Sequence, residues 1–258
     1  MKILVTGALG WTAKTIVEAL KAENHDISAL DLAHTKQHID KQIFTKIHYG
    51  TVSHFDFVQS AMQDNDIVVH LAVATHGGYD TPQIPFDVNV RGTANIFESA
   101  RQQDLNRVIL ISSAPFHVEH KGKIHAITDR LQGQDGDFMY DMTKCLQEDI
   151  AHYYARTCDI QTITLRAGHI VDGRTEKDPK ERSLETIEYG RGAWVCRYDL
   201  ADAVIRSLDY PVADYNAFHI IGAKEAHEKF DMERTETIFG FTPKSQFEQY
   251  PPTKKGEA

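Results

Sequence analysis

The sequence predicts an α/β protein built on a doubly wound parallel sheet, and three observations support this fold class. Short, nearly continuous apolar runs recur along the chain and alternate with stretches of helical periodicity. Glycines follow the first apolar run directly, as in a strand–turn–helix unit. The runs are apolar throughout, which is typical of strands covered by helices on both faces. Regular alternation of strands and helices favours parallel strands joined by right-handed crossovers.

The positions of the individual elements follow from the same patterns. Strands are expected at residues 3–5, 27–30, 66–72, 107–111, 160–165 and 216–221. Helices are expected at residues 12–22, 87–100, 137–155, 199–208 and 231–239. Asp199 is expected to cap its helix at the N-terminus, and Gly240 to end the last one. Residues 172–192 are polar and show no clear period, so we interpret them as a segment that covers a substrate.

Composition excludes several classes of function. The net charge of -9 argues against nucleic-acid binding, which needs a basic face. Three widely spaced cysteines do not suggest a disulfide framework, so a reduced cytoplasmic protein is expected. The N-terminal apolar run lacks the features of a signal peptide, and no apolar stretch approaches the length of a membrane span. The histidines at 117, 120 and 125 lie in a loop-like segment without completing ligands, and no metal site is expected.

The turn after the first strand predicts a dinucleotide site. Gly7 permits the tight turn, and Gly10 lets the backbone approach a pyrophosphate at the start of the following helix. Asp31 ends the second strand, where a carboxylate hydrogen-bonds the adenosine ribose and repels the 2′-phosphate of NADP. NAD is therefore the expected cofactor, although Lys36 lies close enough in sequence to weaken the preference. The turn residues expected to contact it are Gly7, Leu9, Gly10, Trp11 and Thr12.

Tyr140 and Lys144 are the candidate catalytic pair. Their spacing places both on one face of the helix predicted at 137–155, one turn apart. A free tyrosine ionises near pH ~10, and a nearby ammonium favours the phenolate. The pair can therefore exchange a proton with a substrate hydroxyl. Ser113 ends the preceding strand at the carboxyl edge of the sheet, where its hydroxyl can orient the reacting oxygen.

Taken in order, these motifs resemble the extended short-chain dehydrogenase/reductase family, also called NAD-dependent epimerases/dehydratases. The resemblance covers essentially the whole chain. It is carried by Thr6-Gly7-x-x-Gly10, Asp31, His70-Leu71-Ala72, residues 89–95, Ser112-Ser113, Tyr140-x-x-x-Lys144, Leu165-Arg166, Asp199-Leu200-Ala201 and residues 239–244. The resemblance implies a Rossmann-type sheet and a catalytic triad of Ser113, Tyr140 and Lys144. It also implies that Leu71 and Ala72 line the cofactor, that Asn89 lies near the active site and that the long helix contributes to a homodimer.

Some positions depart from the family pattern. Gly50-Thr51-Val52 stands where an acidic residue often faces the adenine, and Ala167-Gly168-His169 stands where asparagine is expected. The chain is also shorter than typical nucleotide-sugar enzymes, which favours a smaller substrate. In size and in its C-terminal third it is similar to uronate dehydrogenases. Those enzymes carry an Asn-His pair after the catalytic serine, which Ala114-Pro115-Phe116-His117 replaces here, so uronate itself is not favoured.

The domain organisation and the substrate side follow from this resemblance. Residues 1–166 are expected to form the NAD-binding core, and residues 167–258 mainly a small substrate lobe, with 199–221 returning to the core. Arginines crowd the segment after Arg166, and a guanidinium there can hold a carboxylate or phosphate. The candidate substrate residues are Ala114, Phe116, His169, Arg174 and Arg191.

The function expected from the sequence is an NAD-dependent oxidoreductase or epimerase that acts on a hydroxyl or keto group of a sugar-like small molecule. Tyr140 exchanges the hydroxyl proton, Lys144 lowers the tyrosine pKa and binds the nicotinamide ribose, and Ser113 orients the reacting oxygen. The residues do not separate a dehydrogenase from an epimerase. The alternative is a non-catalytic NAD-binding sensor or partner-binding protein, which loss of the tyrosine or lysine would have favoured.

Overall fold

The computed structural model describes residues 1–75, 81–114, 138–187 and 191–251 of the chain. Phe116 and the histidines at 117, 120 and 125 lie outside these ranges, as do residues 252–258 of the chain's end. Predictions for those positions stay predictions.

The strands of the described residues follow the apolar runs. They are β1 (Lys2–Thr6), β2 (Asp26–Asp31), β3 (Lys46–Tyr49), β4 (Ile67–His70), β5 (Arg107–Ser113), β6 (Gln161–Ala167), β7 (His169–Val171), β8 (Trp194–Cys196) and β9 (Tyr215–Ile220). Within the described ranges, seven of them form one sheet in the order β3-β2-β1-β4-β5-β6-β9. Each neighbouring pair in this sheet is parallel. The doubly wound, Rossmann-type sheet predicted from the sequence is therefore confirmed.

The helices connect these strands across both faces of the sheet. They are α1 (Trp11–Ala22), α2 (Phe55–Met62), α3 (Gln83–Pro85), α4 (Gly92–Gln102), α5 (Phe138–Cys158), α6 (Arg197–Asp209), α7 (Ala226–Lys229) and α8 (Met232–Thr237). A π-helical turn spans Phe86–Arg91 between α3 and α4. Helices α1 and α6 pack together on one face, while α2, α4 and α5 pack on the other.

The core has a layer on each face because the strands are buried on both sides. Val5, Ile109 and Leu165 face the layer that contains α1 and α6. Leu4 and Val108 on neighbouring positions face the layer that contains α2, α4 and α5. Alternation of side chains along a strand sends successive residues to opposite faces, so a fully apolar run fills both layers.

Parallel strands all end at one edge of the sheet, and this geometry gathers the candidate residues. Strand β1 ends at Thr6, β2 at Asp31, β4 at His70 and β5 at Ser113. The order of the sheet reverses between β1 and β4, because the chain leaves β1 toward β2 and later returns to add β4 on the other side. In open α/β sheets, ligands bind at the carboxyl edge beside this switch point.

The segment after β6 contains regular elements that the sequence patterns did not reveal. Strands β7 and β8 form a separate parallel pair in which His169 lies opposite Trp194. Between them, the chain folds on itself through the Asp178 carboxylate, which accepts hydrogen bonds from the backbone of Lys180 and Arg182. Residues 172–192 are polar, as the sequence shows, but hydrogen bonds between carboxylates and nearby backbone amides give the described part of this segment a defined conformation.

Three details of the predicted elements are corrected. Asp199 is not the N-cap of α6, because the helix begins at Arg197 after Cys196. The Asp199 carboxylate instead accepts hydrogen bonds from the backbone of Lys244 and Ser245. The helix expected over 87–100 begins as the π-helical turn and becomes α-helical at Gly92. Strand β3 and helix α2 were not predicted. Every helix in the described ranges is either too short or too polar to span a lipid bilayer.

Candidate active site

The glycine turn after β1 has the conformation that its residues require. Gly7 has φ of +67°, a region that favours glycine, and a Cβ there would lie 2.9 Å from the amide nitrogen of Ala72. The turn therefore packs directly against the segment that follows β4. Gly10 precedes α1, and among the described residues no side chain caps the first turn of this helix. Free backbone N–H groups at a helix start are suited to a pyrophosphate, so the turn fits the cofactor predicted for it.

Asp31 is more deeply involved in the turn than the sequence indicated. One carboxylate oxygen accepts a hydrogen bond from the amide of Leu9 at 2.8 Å. The other accepts from the amide of Leu32 at 2.7 Å and from the Thr35 hydroxyl at 2.6 Å. Asp31 thus fixes the glycine turn to the end of β2. A carboxylate can accept about four hydrogen bonds, so a ribose hydroxyl can still be bound.

Lys144 is buried against the end of β5. Its ammonium nitrogen donates to the carbonyl oxygen of Ile111 at 2.8 Å, two residues before Ser113. Tyr140 lies one turn earlier in α5, partly exposed, and Ser113 is likewise partly exposed at the end of β5. The Lys144–Ile111 contact holds the start of α5 beside the end of the strand. Two of the predicted catalytic residues therefore come from one helix, and the third from the strand to which that helix is fixed.

Burial sets the electrostatics of Lys144. Desolvation lowers the pKa of its ammonium to about 8, and the negative charge of Glu148 opposes this shift. Lowering the lysine pKa brings its titration close to neutral pH, a property common at functional sites.

Asn89 connects the segment after β4 to the helix of the catalytic pair. Its side-chain oxygen accepts from the amide of Ala74 at 2.7 Å, and its side-chain nitrogen donates to the Ala74 carbonyl at 3.2 Å. The same nitrogen donates to the Thr143 hydroxyl at 2.9 Å, adjacent to Lys144. Asn89 is fully buried. Its amide therefore joins the segment after β4 to α5 beside Lys144, and its place near the active site stays a prediction.

A buried network of hydrogen bonds is centred on His70, at the end of β4. The Thr6 hydroxyl is 2.7 Å from Nδ1 of His70, and the Thr93 hydroxyl is 3.1 Å from Nε2. Thr6 also accepts from the amides of Leu71 and Ala72, at 3.2 and 3.1 Å. Gln147 of α5 donates to Thr93 at 2.6 Å. These contacts join β1, β4, α4 and α5 beneath the predicted cofactor-lining residues Leu71 and Ala72.

The positions of the hydrogen atoms in this network of hydrogen bonds follow from counting donors and acceptors. Thr93 donates its hydroxyl proton to the Asn89 carbonyl at 2.6 Å, so its oxygen must accept from Nε2–H of His70. The Thr6 oxygen already accepts from two amides, so its proton is directed at Nδ1. Desolvation, with a smaller contribution from the charge of Lys144, lowers the pKa of His70 to about 3. His70 is therefore neutral, with its proton on Nε2.

The predicted substrate residues lie in different surroundings. Ala114 is fully buried and packs in a small cluster with Phe230 and Met232. His169 begins β7 and is partly exposed. The exposed Arg174 stacks on the Tyr198 ring at 3.6 Å, whereas Arg191 forms an ion pair with Glu225 at 2.5 Å. The contacts explain how each residue is held, and their binding to a substrate stays a prediction.

Sequence reasoning missed the supporting roles of Thr6, Thr143 and Gln147. His70 was noted only as part of a family motif. The one signal in the sequence was a polar residue inside an otherwise apolar strand, which requires a partner when the strand is buried. In the part of the chain that the structure describes, His, Cys, Asp and Glu side chains do not gather into a group of three suited to a metal ion.

A parallel α/β sheet with a glycine turn at its switch point defines a dinucleotide-binding protein. A family model described as "NAD dependent epimerase/dehydratase family" matches residues 3–187. The chain therefore belongs to this family, and it is an NAD-dependent enzyme.

Individual relatives agree with this assignment. L-arabinose 1-dehydrogenase (NAD(P)(+)) of Haloferax volcanii is 23% identical over 94% of this chain and 96% of its own length. Uronate dehydrogenase of Pseudomonas syringae pv. tomato is 25% identical over 81% of this chain and 70% of its own. Among solved structures, MoeE5 in complex with UDP-glucuronic acid and NAD has a TM-score of 0.74 at 16% identity, covering 95% of this chain and 94% of that one. The solved structure shares the fold of this chain, and the names of all three proteins refer to a sugar or a sugar derivative.

Proposed function

We propose that the protein is an NAD-dependent dehydrogenase that oxidises a hydroxyl group of a small sugar. The observation that carries the proposal is the contact of Lys144 with Ile111, which joins α5, the helix that contains Tyr140, to β5, the strand that ends in Ser113. The proposal includes the homodimer and the cytoplasmic location expected from the sequence. Light scattering coupled to size-exclusion chromatography tests the first of these.

The residues of the chain divide the chemistry between them. Tyr140, as a phenolate, accepts the proton of the substrate hydroxyl, and Lys144 stabilises that phenolate by its charge. Ser113 donates a hydrogen bond that orients the reacting oxygen. The backbone of the glycine turn and Asp31 bind the dinucleotide, with Leu71 and Ala72 beside it. NAD supplies a two-electron oxidant when bound.

The extent of the match with L-arabinose 1-dehydrogenase supports a small sugar as the substrate. The chain spans 96% of L-arabinose 1-dehydrogenase, but only 63% of CDP-paratose 2-epimerase of Salmonella typhi. Arg174 is exposed after β7 and is available to bind hydroxyl or carboxylate groups.

An epimerase is the second candidate, because the family includes epimerases and the catalytic residues can serve both reactions. The two differ in net redox change. A dehydrogenase accumulates NADH in proportion to product, whereas an epimerase returns the electrons to the substrate and leaves NAD unchanged.

The test is a panel of aldoses, uronates and nucleotide sugars incubated with NAD. NADH is followed by absorbance and the sugars by NMR. We expect stoichiometric NADH with at least one free sugar. Conversion of a sugar into its epimer without net NADH would replace the dehydrogenase proposal by the epimerase. Binding of NAD without turnover of any panel member would favour the non-catalytic alternative.

A further inference from the structure

Arg197 lies beside the start of α1 and is directed toward it. The backbone carbonyl of Arg197 accepts a hydrogen bond from the Thr15 hydroxyl at 3.1 Å. Its guanidinium lies 4.5 Å from the centre of the Trp11 ring, and one of its nitrogens is 3.5 Å from the Trp11 carbonyl. Trp11 precedes Thr15 by one helical turn. The Arg197 side chain therefore runs along α1 toward its N-terminus, where the glycine turn lies.

The guanidinium is buried and only partly hydrogen-bonded. Just 9% of the side chain is exposed, and among the described residues its Nε has no hydrogen-bond partner. One terminal nitrogen forms an ion pair with the buried Asp172 carboxylate at 2.7 Å. The contacts with Trp11 and with the Tyr198 hydroxyl are long, both at 3.5 Å. A buried arginine with unused donors is costly unless another acceptor completes its hydrogen bonds.

Other groups here favour an anion. Helix α6 begins at Arg197 and packs against α1, so both helices direct the positive ends of their dipoles toward the same edge. The Asp172 carboxylate offsets the charge of Arg197, and its other oxygen accepts hydrogen bonds from the amides of Arg174 and Thr175, so the pair offers an anion a hydrogen-bond donor and no net charge. The carboxylate therefore positions the guanidinium while leaving Nε free to donate.

We propose that Arg197 is a cofactor-binding residue that donates to the pyrophosphate of the dinucleotide at the start of α1. The proposal rests on the placement of the cofactor at the glycine turn. It adds a side-chain donor to the backbone amides expected at this site, and the stacking on Trp11 holds that donor in place.

The experiment compares ligands with and without the pyrophosphate. Calorimetry gives the affinities of NAD and ADP-ribose for the wild type and for Arg197→Met, and ligand-observed NMR gives the affinity of adenosine. We expect Arg197→Met to weaken ADP-ribose and NAD by about 10-fold to 100-fold, the effect of a hydrogen bond to a charged group. Adenosine binding should change by less than about twofold. Arg197→Lys keeps the charge but loses the planar fork of the guanidinium. Its affinities for NAD and ADP-ribose should lie between those of the wild type and those of Arg197→Met.

Arg182→Met is the matched control. Arg182 also pairs with a buried aspartate of the same segment, Asp178, at 2.6 Å, but its own side chain is 43% exposed. Arg182→Met should leave the affinities for NAD and ADP-ribose unchanged. Equal losses of adenosine and ADP-ribose in folded Arg197→Met would show that Arg197 only supports the structure, and unchanged ADP-ribose binding would equally overturn the proposal. A wild type that bound neither NAD nor ADP-ribose would instead overturn the cofactor site itself. If Arg197→Met fails to fold, the same comparison is made with Arg197→Lys. A loss of affinity for ADP-ribose that exceeds the loss for adenosine supports the proposal, and equal losses or unchanged ADP-ribose binding overturn it.

Discussion

The ammonium group of Lys144 donates to the carbonyl oxygen of Ile111 at 2.8 Å, and the lysine is buried. The lysine is thereby fixed to the strand that ends in Ser113. The predicted pair of Tyr140 and Lys144 on α5 is therefore joined to the strand that contains the third predicted residue.

The first prediction concerns the stability of the protein as a function of pH. The pKa of Lys144 is lowered from 10.5 to about 8 in the folded state. Between these values the unfolded chain binds more protons, so the Lys144 contribution makes the free energy of unfolding rise with pH. Below pH ~8 its buried charge destabilises the fold by about 3 kcal/mol, a cost that disappears as the pH rises to ~10.5.

The measurement is urea unfolding of the wild type and of Lys144→Met at several pH values in this window. The difference in unfolding free energy should shift in favour of the wild type as the pH rises. Lys2→Met, at an exposed lysine of β1, serves as the control. Parallel profiles for wild type and Lys144→Met would contradict the lowered pKa.

The second prediction concerns Tyr140. Tyr140→Phe keeps the ring but removes the ionisable oxygen, so turnover should fall by about 10²-fold to 10⁴-fold while NAD still binds. Steady-state kinetics and calorimetry measure the two effects. Tyr153→Phe is the matched control, because Tyr153 is on the same helix and 63% exposed. A Tyr140→Phe enzyme with wild-type turnover would point to a different base.

The third prediction concerns His70. Nitrogen-15 NMR should show the neutral ring with its proton on Nε2, unchanged between pH ~5 and ~8, since the pKa is about 3. His70→Phe leaves the proton of the Thr6 hydroxyl without an acceptor and should cost about 1–3 kcal/mol, whereas Thr93 keeps its hydrogen bonds with Asn89 and Gln147. The KM for NAD should also rise, because Thr6 fixes Leu71 and Ala72.

The control is His54→Phe, at an exposed histidine before α2. It should change neither the free energy of unfolding nor the KM for NAD. The NMR result separates a fixed tautomer from a titrating one. A His70 ring that became protonated near pH ~6.5 would refute the assignment of its hydrogen bonds.

The fourth prediction concerns the buried ion pair between α5 and β6. A nitrogen of Arg166 lies 2.8 Å from a carboxylate oxygen of Glu148, with side chains 1% and 0% exposed. Arg166→Met leaves the buried carboxylate without its main counter-charge and should cost about 3–5 kcal/mol. The double variant with Glu148→Gln should recover part of that loss. Urea unfolding measures the stability of the single and the double variant. The control is Lys224→Met, which breaks an exposed ion pair with Glu248 and should change the free energy of unfolding by less than about 1 kcal/mol.

The fifth prediction concerns cofactor choice. Asp31 should make NAD bind more tightly than NADP, because the 2′-phosphate would approach a carboxylate. Asp31→Ala should narrow that difference and also weaken NAD, since the carboxylate fixes the amide of Leu9. Titration with both cofactors measures the ratio. Equal or tighter binding of NADP to the wild type would contradict the prediction.

The sequence by itself determined the fold class, the cofactor and the identity of the candidate catalytic residues. Apolar runs such as β5 fill two core layers, which is possible only in a sheet covered on both faces. Gly7 requires a positive φ that few other residues adopt, and Tyr140 and Lys144 are neighbours by helical spacing alone. These properties depend on local conformation and periodicity, so the order of residues was sufficient to predict them.

Only the tertiary structure decided the partners of polar groups that are distant in sequence. Asp199 was expected to cap a helix, but its carboxylate binds backbone amides of Lys244 and Ser245, which no local pattern could indicate. Likewise, the contacts of Asn89 with Thr143 and of Arg197 with Trp11 join elements that come together only when helices pack on the sheet. A buried donor or acceptor must find a partner, but the sequence does not specify which one, because that choice is made by the distances that folding creates.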